Sequence, residues 1–254
     1  MPGVDTGLGC GHTFLFMQRP FLHAHWSNVA IISYEVPPDL LAPHVPQGCE
    51  LDLLRGKAYV SLVAFDFDDV TVKGWHIPFH SSFPEVNLRL YVKRGSQRGV
   101  TFIREFVPKP LVAFVAKHFY NEPYETVKMR CDIHRTSQGF HVEHDLYAAG
   151  HTQKIVVATT KEAPLLPSAE SDETWFKEHE WGFGMNRKGQ MTQYRVAHPQ
   201  WLTYHILWHE IKMDWKRVYG EKWKILKGAK PANVILAQGS EVTVFDGCLC
   251  ASSR

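Results

Sequence analysis

A period of two constrains this chain more than any other feature. NVAIISYE (28–35), AYVSLVAFDF (58–67), EVNLRLYVK (85–93), VTFIREFV (100–107) and VKMRCDIH (127–134) alternate or run apolar over strand-sized lengths. GFHVEHDLYA (139–148), KIVVATT (154–160), MTQYRVAH (191–198) and NVILAQGSEVTVF (233–245) do the same. Successive strand side chains point to opposite faces, so such segments read as strands. Turn residues separate them: RGSQRG at 94–99, RTSQG at 135–139, AAGHTQ at 148–153 and NRKGQ at 186–190. Strands close in sequence pair most simply as antiparallel hairpins.

Helical signals are few. PPDLLAPHV (37–45) is short and broken by Pro43, and Pro110 starts a helix over 111–119. Ser171 or Asp172 caps ETWFKEHEW. The longest predicted helix is 202–219, where Tyr204, Leu207, Trp208, Ile211, Trp215, Val218 and Tyr219 form a stripe ended by Gly220. Many strands and few helices predict a mainly β (α+β) chain: an antiparallel, strongly curved β-barrel with a few covering helices. With no internal repeat or linker, residues 21–254 read as a single domain, behind a loose N-terminal tail over 1–20.

Composition narrows the function classes. The formal net charge is +2, too small to argue for a nucleic-acid partner. No apolar run reaches the ~18 residues that a membrane span needs. The N-terminus lacks a basic region followed by a long apolar one, so no secretory signal is read there. Cys10, Cys49, Cys131, Cys248 and Cys250 are odd in number and scattered, which argues against a disulfide framework and for a reduced, cytoplasmic protein. Fifteen Phe, nine Tyr and eight Trp supply an aromatic core or an aromatic-lined pocket.

Motifs exclude more than they assign. GLGCG (7–11) has neither a preceding strand nor a following helix, which removes the dinucleotide reading. His205 and His209 stand four apart without an HExxH pattern, and Pro78 separates His76 from His80. His141 and His144 alternate to opposite faces of a strand. No metal site and no cofactor are expected.

FPEVNLRLYVKRG (83–95) is the most informative element. Val86, Leu88, Leu90 and Val92 share one face; Glu85, Asn87, Arg89 and Tyr91 share the other. The apolar face needs a cover, most simply a helix outside the barrel. The polar face then points inward, where a charged pair needs water, a partner or a ligand. Glu85 and Arg89 stand roughly 13 Å apart at ~3.3 Å per residue.

FPEVNLRLYVKRGSQRGVTF resembles the PE-N-R-YV…G-F signature of the DUF2071 (YqjF-like) family. VPPDLLAPHVPQGCELDLLRGKAYVSLVAFDF, LVAFVAKHFYNEPYETVKM and WFKEHEWGFGMNRKGQMTQYRVAHPQW resemble its other segments in the same order, from about Phe21 to Phe245. The resemblance implies a β-barrel of the acetoacetate decarboxylase-like type with an internal pocket and no assigned activity. In that superfamily a Pro-Lys-Lys segment carries an imine-forming lysine. The matching segment here is Pro123-Tyr124-Glu125, which keeps the proline and lacks both lysines. Lys109 and Lys117 precede it. Lys128 follows on a polar face and could reach a pocket. An imine-forming decarboxylase is therefore disfavoured.

Three readings follow. The first is a protein that binds a small organic acid or carbonyl compound, with Arg89, Tyr124, Trp26 and Lys128 as ligand contacts. The second is a lyase, hydratase or isomerase of a small oxo-acid, with Glu85 as acid/base and Arg89 or Tyr124 holding the oxyanion. The third is a non-catalytic interaction protein whose exposed aromatics form a homo-oligomer interface.

Overall fold

The structure is a computed structural model that describes residues 19–78, 81–110, 112 and 123–249. Its strands are β1 (Pro20–Val36), β2 (Glu50–Leu51), β3 (Ala58–Val72), β4 (Trp75–His76), β5 (Phe83–Arg94), β6 (Gln97–Val107), β7 (Tyr124–Thr126) and β8 (Lys128–Arg135). They continue with β9 (Gly139–Ala148), β10 (His151–Thr160), β11 (Trp181–Met185), β12 (Met191–Ala197), β13 (Ile206–Lys212), β14 (Asn233–Phe245) and β15 (Cys248–Leu249). Three short α-helices lie wholly within the described residues, α1 (Pro38–Leu41), α2 (Asp172–Lys177) and α3 (Trp215–Tyr219), and Pro110 and Val112 are helical as well. The chain is mainly β.

An 11-stranded sheet runs β2-β5-β3-β1-β14-β12-β11-β6-β7, with β4 on β3 and β15 on β12 off this path, and a further β5–β6 pairing closes it. The ladders β5-β3-β1-β14-β12-β11-β6 thus return to β5 and form a closed ring. The expected antiparallel sheet is corrected to a mixed one: most pairings are antiparallel, but β6 pairs in parallel with β11 and with β7. β8, β9, β10 and β13 make a separate four-stranded sheet.

β5 shows why both layers are needed. Val86, Leu88, Leu90 and Val92 are fully buried on its outer face. They pack into one cluster with Val142, Leu146, Ile155 and Val157 of the second sheet and with Trp215 and Trp223. The expected helical cover is therefore corrected to a sheet, helped by α3 and the 3-10 turn Glu221–Leu226. The inner face carries a second, aromatic cluster with Phe65, Phe67, Tyr91, Phe176 and Trp201.

β1 bends where its register with β3 shifts between Ser27 and Ala30. Asn28 stands there in the left-handed region, φ 54°, which Asn tolerates better than other side chains. Opposite, Ser27 pairs with Gly239, φ 85°, where an added Cβ would stand 1.9 Å from the Trp26 carbonyl oxygen. The bend needs this glycine, and it leaves the Trp26 ring 4.8 Å from that of Phe65.

The predicted 202–219 helix is corrected. Residues 206–212 are β13, paired to β10, and only Trp215–Tyr219 is helical. The predicted 111–119 helix lies outside the described residues except for Val112, as does almost all of the predicted tail. Among the described residues no helix is long and apolar enough to cross a membrane.

Candidate functional site

A cavity of about 740 Å³ opens on the inner face of the ring. Its walls are largely aromatic and aliphatic, and beside Lys73, Thr192, Tyr194 and Asp246 its lining carries two sets of polar groups. Glu85, Asn87, Glu105 and Tyr124 form the first. Arg89, Lys177, His179 and His198 form the second.

Local pairing assembles the first set. Asn87 faces Glu105 across the β5–β6 ladder, and Glu105 faces Tyr124 across the parallel β6–β7 ladder. Glu85 is 3% exposed. Asn87 Nδ2 donates to its Oε1 at 3.0 Å, and the Tyr124 hydroxyl donates to its Oε2 at 2.9 Å. Glu105, equally buried, hydrogen-bonds it as well. Burial raises the Glu85 carboxyl to about 7, against the opposing pull of the bonds from Asn87, Tyr124 and Glu105. Burial also raises the Tyr124 phenol well above its ordinary range, reinforced by the two glutamates. Tyr124 is therefore a hydrogen-bond donor here.

The second set depends on α2. Ser171 caps this helix by accepting from the Thr174 N–H at 3.2 Å, one of the two caps expected. The helix ends over the inner face of β5, where Arg89 Nη2 and the Tyr91 hydroxyl donate to the Phe176 carbonyl at 3.1 and 3.3 Å. Arg89 Nε is buried with no hydrogen-bond partner. Both ring nitrogens of His179 are likewise buried and unpartnered. Burial, with the Arg89 and Arg98 charges, holds His179 well below its ordinary range, so the ring is neutral. Lys177 is buried too, and its ammonium hydrogen-bonds Glu178. The His198 ring stacks on Trp201 at 4.1 Å.

The cavity thus gathers Glu85, Arg89, Tyr124 and Trp26 among its lining. Lys128 is the exception: it is exposed at the start of β8 and absent from the lining, which corrects its expected place. β8 belongs to the second sheet, on the far side of the ring wall. Sequence reasoning missed Glu105, Lys177, His179 and His198. Glu105 was hidden by a bulge: the β5–β6 register shifts between Leu88 and Arg89, so Phe102 and Glu105, an odd number of residues apart, both line the cavity. The others sit on irregular chain around α2 and after β12, where no periodicity announces a facing direction.

Structures with the same fold are known at low identity. An acetoacetate decarboxylase-like enzyme from Sphingomonas wittichii RW1 matches with a TM-score of 0.64 at 11% identity, covering 92% of this chain and 95% of that one. The acetoacetate decarboxylase of Legionella pneumophila matches with a TM-score of 0.61 at 16% identity, covering 92% and 89%. The enduracididine biosynthesis enzyme MppR, solved with pyruvate, matches with a TM-score of 0.62 at 12% identity, covering 94% and 93%. In sequence the chain is similar to the uncharacterized protein YqjF of Bacillus subtilis (strain 168), 29% identical over 108 residues. That match spans 42% of this chain and 45% of YqjF. A family model described as an uncharacterized conserved protein matches residues 23–241, and the chain belongs to that family, DUF2071.

Proposed function

We propose that the protein binds a small organic acid or carbonyl compound in this cavity and exchanges a proton with it through Glu85, from a cytosolic location. We read the closed ring of strands as the barrel that encloses the ligand. The observation that carries the proposal is the buried Glu85 carboxyl, raised to about 7 beside Glu105, in a cavity whose second polar set includes Arg89. A group that is half-protonated near neutral pH can accept and return a proton with little free-energy cost. Arg89 offers a planar fork suited to a carboxylate, and the Tyr124 hydroxyl can donate to a developing oxyanion. The complex of MppR with pyruvate is an instance of an oxo-acid bound by a protein of this fold. Acid/base chemistry of a lyase, hydratase or isomerase is the reading that the Glu85 titration favours over passive binding.

The proposal does not use an imine. Tyr124 and Glu125 occupy the segment where the superfamily resemblance implies lysines; of the two lysines in the cavity lining, Lys177 is held by Glu178 and Lys73 lies over the Phe21 ring. Thermal-shift titration with pyruvate and related 2-oxo acids is the test. Stabilisation is expected in the wild type and should be lost in Arg89→Met with the fold intact. Borohydride added to the same mixtures should leave the protein mass unchanged. No stabilisation by any small acid or carbonyl compound would overturn the binding reading, and a reduced adduct on Lys177 or Lys73 would replace the acid/base reading with an imine one.

A further inference from the structure

A second cluster of ligating groups lies behind the cavity wall. Phe65 and Phe67 line the cavity, and Asp66 between them on β3 points the other way, toward the second sheet. There Cys131 of β8 and His144 of β9 face each other directly across their ladder, on one face of that sheet. Cys131 Sγ stands 3.1 Å from Asp66 Oδ2, and His144 Nε2 stands 3.6 Å from Asp66 Oδ1. All three ligating atoms lie within 4.8 Å of one another.

His144 is 1% exposed, and among the described residues neither of its ring nitrogens has a partner within ordinary hydrogen-bond distance. A buried polar group in that state is costly unless something else engages it. The 3.6 Å approach to Asp66 is too long for a good hydrogen bond. It does match the spacing of two ligands on one tetrahedral ion. With metal–ligand bonds of ~2.0–2.3 Å, ligand atoms stand about 3.3–3.8 Å apart. One thiolate, one imidazole and one carboxylate make a borderline-soft set, which suits zinc and not calcium or magnesium. Asn28 Nδ2 donates to Asp66 Oδ2 at 3.2 Å and would orient the carboxylate from outside the ligand shell.

We propose that Asp66, Cys131 and His144 bind a zinc ion that fastens the second sheet to the ring. Binding releases the Cys131 thiol proton to solvent and forms a zinc–thiolate bond. The neutral imidazole binds through the nitrogen that faces Asp66, and no oxidation state changes. Water completes the tetrahedron. The sequence hid this set because its members lie 65 and 78 residues from Asp66 and come from two sheets.

Cobalt(II) is the probe for the test, added alone to full-length protein that has been stripped with a chelator. Saturation at one cobalt per chain is expected, with the intense visible bands of a tetrahedral site and a thiolate charge-transfer band in the near ultraviolet. Zinc should displace it and raise the midpoint of thermal unfolding. Cys131→Ser should remove the charge-transfer band, and His144→Ala should weaken zinc at least about tenfold. The double variant Cys248→Ser/Cys250→Ser should leave the spectrum unchanged. If wild-type protein shows no thiolate band at stoichiometric cobalt, the proposal fails without reference to any variant. It fails also if the band disappears in the Cys248/Cys250 double variant.

Discussion

Burial raises the Glu85 carboxyl to about 7, because the cavity wall has removed the water that would favour its charge. That position has a stability consequence. The folded chain holds this proton up to about pH 7, whereas an unfolded glutamate releases it near 4.5. The group's stabilising contribution is therefore complete below about pH 4.5 and is lost as the pH rises to about 7. Glu85→Gln keeps the shape and removes the titration. Its amide oxygen can accept from Asn87 while its NH₂ donates to a rotated Tyr124 hydroxyl. Urea unfolding at pH 5 and pH 8 should show the wild type losing stability relative to this variant at the higher pH. Parallel pH profiles for the two proteins would refute the assignment. In ligand turnover the same group predicts a rate that rises through about pH 7 if Glu85 acts as the base.

Among the elements, the second sheet and α3 carry an unexpected share of the packing. Trp215 is buried and meets the Tyr34 ring edge-on at 5.6 Å, joining α3 to β1. Trp215→Ala should destabilise the fold by about 3–5 kcal/mol, read as a shifted midpoint in denaturant unfolding. A change under about 1 kcal/mol would mean that α3 only rests on the sheet. Most strands here were legible in the sequence: 139–148 and 233–245 match β9 and β14 end to end. β13 was not, for a local reason. Its pairing with β10 skips Leu207, so Ala158 faces Trp208 and Thr159 faces Ile206. This bulge places Ile206 and Ile211, an odd number of residues apart, both against the core. Period two is broken, and the remaining apolar spacing imitates a helix. α2 was found through its Ser171 cap. The inward direction of β5's polar face was legible from the need to cover its apolar face, but the cover was read as a helix, because no local pattern encodes the docking of the second sheet.

At the scale of the whole molecule, the ring and the second sheet together leave β5 with no free face. Its outer side chains meet the second sheet, its inner ones meet the cavity, and its two edges pair with β3 and β6. Ligand binding should extend this protection: at 100 times its Kd a cavity ligand adds about 2.7 kcal/mol to unfolding. A thermal midpoint that fails to climb with ligand concentration would place the ligand elsewhere. The enclosure of β5 also governs how the sequence can change over time. An ordinary surface strand offers every second position to drift. In β5 only Pro84, Arg89, Lys93 and Arg94 escape full burial, and Arg89 faces the cavity. A saturation-mutagenesis map should therefore show Glu85–Val92 as an unbroken intolerant block, its even positions failing through lost abundance and Glu85 and Arg89 through lost binding at normal abundance.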